Sequence, residues 1–258
     1  MGNKKYTFED LLKIIARLRA KDGCPWDAEQ THDSIKKCMV EESYEVIEAI
    51  ESGDMDKVYD ELGDLLLQVV FHAQIAKENG EFDIDDVTNA ICKKMIRRHP
   101  HVFGDVKVKN SEEVLDNWDE IKKEEKGERK TSETLKSVSA YLPALMRAQK
   151  VQKKAAKVGF DWDSIDGALG KVREETDEFE EAVKNGSNKE EELGDLLFSV
   201  VNTARFADVD AEDALTKATK KFISRFEKME DKISDEGKRL EKLSLDEMDM
   251  FWDKVKIE

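Results

Sequence analysis

Apolar residues recur along most of the chain at helical spacing. Val58, Leu62, Leu65, Leu66, Val69 and Val70 follow the i, i+4, i+7, i+8 rhythm of a helix with one buried stripe, and Leu193, Leu196, Leu197, Val200 and Val201 repeat it. No stretch alternates with period two for long enough to argue for a sheet, and prolines number only three. The pattern predicts an all-α fold.

Both stripes sit in one repeated string: Asp60–Val70 reads DELGDLLLQVV and Glu191–Val201 reads EELGDLLFSVV. Upstream, EESYEVIEAI (Glu41–Ile50) answers EETDEFEEAV (Glu174–Val183), and a short polar turn, ESGDMD or KNGSN, leads from each into the repeated string. Each copy therefore reads as a helix, a turn and an antiparallel helix. Further matches keep the same order: Gly23-Cys24-Pro25-Trp26-Asp27 with Gly159-Phe160-Asp161-Trp162-Asp163, Lys94 and Arg98 with Lys221 and Arg225, and Trp118-x-x-x-Lys122 with Trp252-x-x-x-Lys256. The chain is read as a duplicated helical domain over 1–122 and 138–258, with a polar linker lacking periodicity over 123–137. Bundles this small leave an apolar stripe exposed after internal packing, which predicts pairing of copies or of chains as a homodimer.

Composition narrows the partners. The 258 residues suffice for two cores, and 39% hydrophobic content with clear periodicity excludes disorder despite 40% charged residues. A net charge of −16 without any dense Lys/Arg block repels a phosphate backbone, so no nucleic-acid partner is expected, and an anionic ligand requires cations as intermediaries. No run of eighteen apolar residues and no signal-like N-terminus occurs, so no membrane partner is expected and the cytoplasm is the expected location. Cys24, Cys38 and Cys92 are odd in number and lack CxxC spacing, as reduced thiols would be.

The candidate chemistry is carboxylate. Glu42 and Glu45 lie one turn apart, as do Glu61 and Asp64 on the next helix, so antiparallel packing would bring four carboxylates together. Glu175, Glu178, Glu192 and Asp195 reproduce the set, and each copy adds a preceding glutamate, Glu41 or Glu174. Like charges this close are either splayed into water or neutralised by a cation, and an all-oxygen set suits Mg²⁺, with Mn²⁺ as substitute. Gly63 and Gly194 each cost about 1 kcal/mol of helix propensity relative to Ala, which predicts that the facing helix or a ligand comes close to the backbone there.

Other chemistries find less support. A di-iron bundle wants ExxH, and Glu29-Gln30-Thr31-His32 is unrepeated and beside a loop, which reads as a solvent-facing coincidence. His99 and His101 flank Pro100 as in a turn, and His72 sits on an apolar helix as a core residue. Gly167-Ala-Leu-Gly-Lys171 lacks the spacing and the Ser/Thr of a phosphate loop, and there is no GxSxG.

With EExxE, then ExxD inside ELGDLL, GCPWD upstream, and RRHPHVF and LPALMRAQK between the copies, nearly the whole chain resembles the MazG family of tandem-domain nucleoside triphosphate pyrophosphohydrolases, in the all-α NTP pyrophosphatase superfamily. The resemblance implies a homodimer of helical bundles that hydrolyses NTPs and dNTPs to monophosphate and pyrophosphate with Mg²⁺, and broad base specificity. By the same resemblance Glu175, Glu178, Glu192 and Asp195 are metal ligands and catalytic residues, with Glu42, Glu45, Glu61 and Asp64 as a second set. It also assigns Lys171, Lys221 and Arg225 to phosphates, with solvated surface charges as the alternative for the lysines. Trp252 either stacks a base or packs in the core. Glu174 and Asn202 complete the substrate-binding set.

The copies differ after ELGDLL, where Asn202 and Arg205 stand opposite Phe71 and Gln74. An amide and a guanidinium can read a nucleotide, whereas phenylalanine suits helix packing, so the second copy is expected to be catalytic and the first structural or regulatory. Two competing readings are a narrow dUTP or dCTP hydrolase of the same superfamily and a metal-dependent nucleotide sensor or scaffold without turnover.

Overall fold

The computed structural model describes residues 5–127 and 130–256, and every regular element in them is helical. It separates into two units, Met1–Lys122 and Lys123–Glu258. No described helix is long and apolar enough to cross a membrane.

The first unit runs through α1 (Phe8–Leu18), α2 (Pro25–Glu29), α3 (His32–Ser52), α4 (Met55–Glu78), α5 (Ile84–Arg98), α6 (Pro100–Phe103) and α7 (Ser111–Lys126), whose last turn passes the unit boundary. Local chemistry sets the ends. Thr7 and Thr31 close capping boxes on α1 and α3, satisfying amides that have no partner inside a helix. Gly53 ends α3 in the left-handed conformation, at φ 71°, and Asp54 then accepts from the amides of Asp56 and Lys57 to start α4. This tight turn folds α4 back on α3, the main packing of the unit, and α1 covers α4. Their shared core holds Ile15, Ile35, Val70, Phe71 and Ile75.

The second unit contains α8 (Thr131–Lys136), α9 (Ala144–Ala156), α10 (Ile165–Asn185), α11 (Lys189–Phe206), α12 (Ala211–Asp235), a 3-10 turn (Leu240–Lys242) and α13 (Leu245–Lys256). Gly186, at φ 72°, repeats the left-handed stop, and α10 and α11 form the matching hairpin with α9 against α11. A second core joins α12 to α13 through Met229, Ile233, Phe251 and Val255.

Two expectations change. The stretch read as a linker is helical over Thr131–Lys136, with Thr134 buried, because α8 packs on α9; its positions 128 and 129 lie outside the described residues. The repeated apolar stripes are only partly buried: Val58, Val70 and Val201 enter the core, while Leu62, at 50% exposure, and Leu197, at 49%, stay open with Leu66, Leu193 and Val200. Val40, Tyr44, Ile47 and Tyr59 in the first unit, and Val183 in the second, extend the exposed apolar surface.

Candidate functional site

Four carboxylates were expected to converge in each copy, and the hairpin geometry brings three of them together. In the second unit Glu175 from α10 and Glu192 and Asp195 from α11 each offer an oxygen within 4.8 Å of the others; in the first unit Glu42, Glu45 and Glu61 do so. Glu178 stays outside its triad but remains coupled to it. Desolvation first, then the Glu175 carboxylate, raises the Glu178 carboxyl above its ordinary value. Asp64 acts likewise in the first copy, where desolvation, then Asp64 and Glu45, raise Glu42. Charges that resist ionisation at one point favour a cation there.

Glu175 is the centre of the second set. It is 5% exposed, its Oε1 is 2.6 Å from Lys171 Nζ, and its Oε2 is buried without a hydrogen-bond partner. Lys171 also reaches Glu174 Oε1 at 2.8 Å, and these two carboxylates, Glu174 first, raise the lysine above its ordinary value. A buried, unpaired carboxylate oxygen is costly unless a cation meets it, so an oxygen-only triad with such an orphan fits a hard divalent ion such as Mg²⁺.

Beside the triad lies a cavity of about 730 Å³, lined by Lys171, Glu175 and Asp195 and by the aromatic side chains of Phe160, Trp162 and Phe198, together with Gln152, Ser199, Asn202 and Arg205. Trp162 is seated by Gly167, where a Cβ would stand 3.0 Å from the indole ring. Arg205 is held in place: its guanidinium donates to Asn202 Oδ1 at 2.9 and 3.1 Å and pairs with Asp161. A cavity lined by both charged and aromatic groups suits a ligand that is charged in one part and aromatic in another, as a nucleotide is.

The first copy carries different side chains in the corresponding positions. Aligning Gly23 with Gly159 sets Arg19 opposite Ala155; aligning Glu42 with Glu175 sets Ile35 opposite Ala168 and Cys38 opposite Lys171; aligning Glu61 with Glu192 sets Phe71 opposite Asn202. Ala155, Ala168 and Asn202 line the cavity, whereas Ile35 and Phe71 are core residues and Arg19, 5.1 Å from the Phe71 ring, is buried and paired with Glu78 at 2.8 Å. At these three lining positions the first copy carries larger side chains, all of them buried. Its Glu42 also has a protein partner, Gln68 Nε2 at 3.4 Å.

The remaining expectations divide. Lys171 and Asn202 line the cavity and Glu174 holds Lys171, but Lys221, Arg225 and Trp252 lie on α12 and α13, outside that lining. Trp252 packs on the α12–α13 core, 5.1 Å from the Phe222 ring. Of the two approaches expected at Gly63 and Gly194, the facing helix makes none, since a Cβ at either meets no protein atom within 4 Å. His32 is not solvent-facing: its Nδ1 lies 2.7 Å from that of His72. Pro100 opens the short helix α6, with His99 as its cap, where a turn was expected. Trp162 and Phe160 were missed as site residues, although the repeated Gly-x-x-Trp-Asp pattern marked their position.

The family model described as the MazG nucleotide pyrophosphohydrolase domain matches residues 30–103 and 165–229. The nucleoside triphosphate pyrophosphohydrolase/pyrophosphatase MazG of Thermotoga maritima is 48% identical over 249 residues, covering 96% of this chain and 95% of that one. The nucleoside triphosphate pyrophosphohydrolase of Escherichia coli K12 is 47% identical over 251 residues, covering 95% of each. The uncharacterised protein YabN of Bacillus subtilis is 48% identical over 254 residues, 97% of this chain but 52% of its own length.

Proposed function

Because this chain belongs to the MazG family of nucleotide pyrophosphohydrolases, we propose a nucleoside triphosphate pyrophosphohydrolase whose second unit cleaves NTPs and dNTPs to monophosphate and pyrophosphate, with Mg²⁺ as cofactor and little choice among bases. The observation that carries the assignment to the second unit is the cavity lined by Glu175 and Asp195 of the triad together with Phe160, Trp162 and Phe198.

Each residue has a task that its surroundings support. Glu175, Glu192 and Asp195 would hold the metal, which when bound neutralises the triphosphate and acidifies a water. Lys171 is poised between Glu174 and Glu175 and turns from them to the polyphosphate. Trp162 and Phe198 take the base on their faces, an interaction every base can make, which favours broad specificity. Lys221 and Arg225 are kept as phosphate ligands, to be brought in by closure or by a second chain, and the exposed apolar faces of both hairpins support a homodimer.

The test is incubation of the purified chain with separate NTPs and dNTPs, with and without Mg²⁺, and chromatography of the products. Monophosphate plus pyrophosphate formed only with Mg²⁺ is the expected result. Diphosphate plus orthophosphate would place cleavage at the other bond. Nucleotide binding without turnover would favour a sensor, and turnover confined to dUTP or dCTP a narrow hydrolase.

A further inference from the structure

The loop over 157–164, between α9 and α10, carries two of the cavity's aromatic residues on either side of one carboxylate. Phe160 and Trp162 are 83% and 48% exposed, whereas the Asp161 side chain between them is 25% exposed. Asp161 Oδ1 accepts from the Trp162 backbone amide at 2.9 Å and from Arg205 Nη2 on α11. The guanidinium, on a side chain 12% exposed, is held by two further contacts: its Nε and Nη2 donate to Asn202 Oδ1 at 3.1 and 2.9 Å, and it lies over the Phe206 ring, 4.4 Å from the centre. Arg205 thus ties the aromatic loop to the helix that bears Glu192 and Asp195.

Both members of this pair are missing together from the first copy. With Gly23 aligned on Gly159, Pro25 stands opposite Asp161; with Glu61 aligned on Glu192, Gln74 stands opposite Arg205. There the same segment is the short helix α2, and Arg19 of α1 holds it, donating from Nη1 to the carbonyls of Asp27 and Gln30 at 2.6 and 3.1 Å. Arg19 stands opposite Ala155, which lines the second unit's cavity. An arginine supplied from α11 instead holds the loop and leaves that lining position small.

A loop that begins at a left-handed glycine, Gly159 at φ 82°, and presents two large side chains to solvent loses conformational freedom when it closes on a ligand. A charge-assisted hydrogen bond shielded from water orders it beforehand and lowers that cost. We propose that Arg205 is a positioning residue: through Asp161 it fixes Phe160 and Trp162 at the cavity before a nucleotide arrives, and so acts on affinity and not on bond cleavage. The inference rests on the nucleotide reading of this site and deepens it.

Arg205→Met removes the pair and leaves the loop's own sequence intact. Chymotrypsin, which cuts after aromatic residues, reads the loop without any nucleotide: cleavage after Phe160 and Trp162 should be about tenfold faster in the variant than in the unaltered chain. KM for ATP should rise about tenfold, with kcat held within about twofold. Asp161→Asn, a milder change that keeps an acceptor for the Trp162 amide, should raise KM in the same direction, and the double variant should be no worse than Arg205→Met. A raised KM with unchanged cleavage, or additive effects of the two substitutions, would mean that Arg205 meets the nucleotide itself and would overturn the proposal. A lower kcat and melting temperature with KM unchanged would mean a merely structural arginine and overturn it as well. Equilibrium dialysis with ATP separates the two layers. If the unaltered chain binds ATP without releasing pyrophosphate, the hydrolase reading falls, and weaker binding with faster loop cleavage in Arg205→Met still upholds the positioning role. If the unaltered chain releases pyrophosphate and Arg205→Met matches it in binding and cleavage, the positioning role falls and the hydrolase reading stands.

Discussion

Glu175 is the buried member of its triad, and its Oε2 has no hydrogen-bond partner, which makes it the first residue to test in the proposed metal site. Glu175→Ala should lower pyrophosphate release at least about a hundredfold, given that even supporting groups around a metal contribute 10–100-fold. The same assay on a chain with Glu61→Ala and Asp64→Ala should show turnover essentially unchanged, and its loss would move catalysis to the first copy. Glycines give a second contrast. Gly194→Ala should stabilise the chain by up to about 1 kcal/mol in urea denaturation, since the helix gains propensity and the new Cβ meets nothing. Gly167→Ala forces the Trp162 ring to move and should raise KM for nucleotides. The sequence marked Gly63 and Gly194 as the tight positions, because repetition draws attention to conserved spacing between copies and says nothing of the space around a backbone atom.

Between elements, the first unit ties α1 to α4 through Arg19 and Glu78. Burial alone would raise the Glu78 carboxyl, but hydrogen bonds from Arg19 and Gln74 outweigh it and hold the group below its ordinary value of 4.5. A depressed folded value means stability that is present above the ordinary value and is lost as pH falls through the folded one. Denaturation of Glu78→Gln beside the unaltered chain should therefore show a less stable variant at neutral pH, with the gap closing below pH 4.5. A gap independent of pH would mean that packing, not charge, is what the substitution removes. The hairpins were legible from the glycine turns and the 3.6-residue period, and so was the packing role of Phe71. Arg19 was not, because one arginine in an acidic chain reads as a surface charge until α4 brings Glu78 against it.

At the scale of the whole chain, part of each stripe stays exposed, with Leu62 and Leu197 among its members and Tyr44 extending the apolar surface of the first unit. Soluble proteins rarely leave such faces bare, so sedimentation of the intact chain should give twice the chain mass. Val183→Glu with Leu197→Glu should shift it toward one chain. A single-chain mass at every concentration, without the substitutions, would remove the dimer from the proposal.

Helix content, the duplication, the turns and the carboxylate sets followed from sequence alone, because each depends on spacing along one or two helices and on residues close in the chain. The cavity beside the second copy's triad did not. That was decided where α9, α10 and α11 converge, by Ala155, Ala168 and Asn202 in one copy against Arg19, Ile35 and Phe71 in the other. Volume between helices is set by side chains distant in sequence, so only the tertiary structure could show that Gln152 and Glu175 each keep one oxygen without a partner.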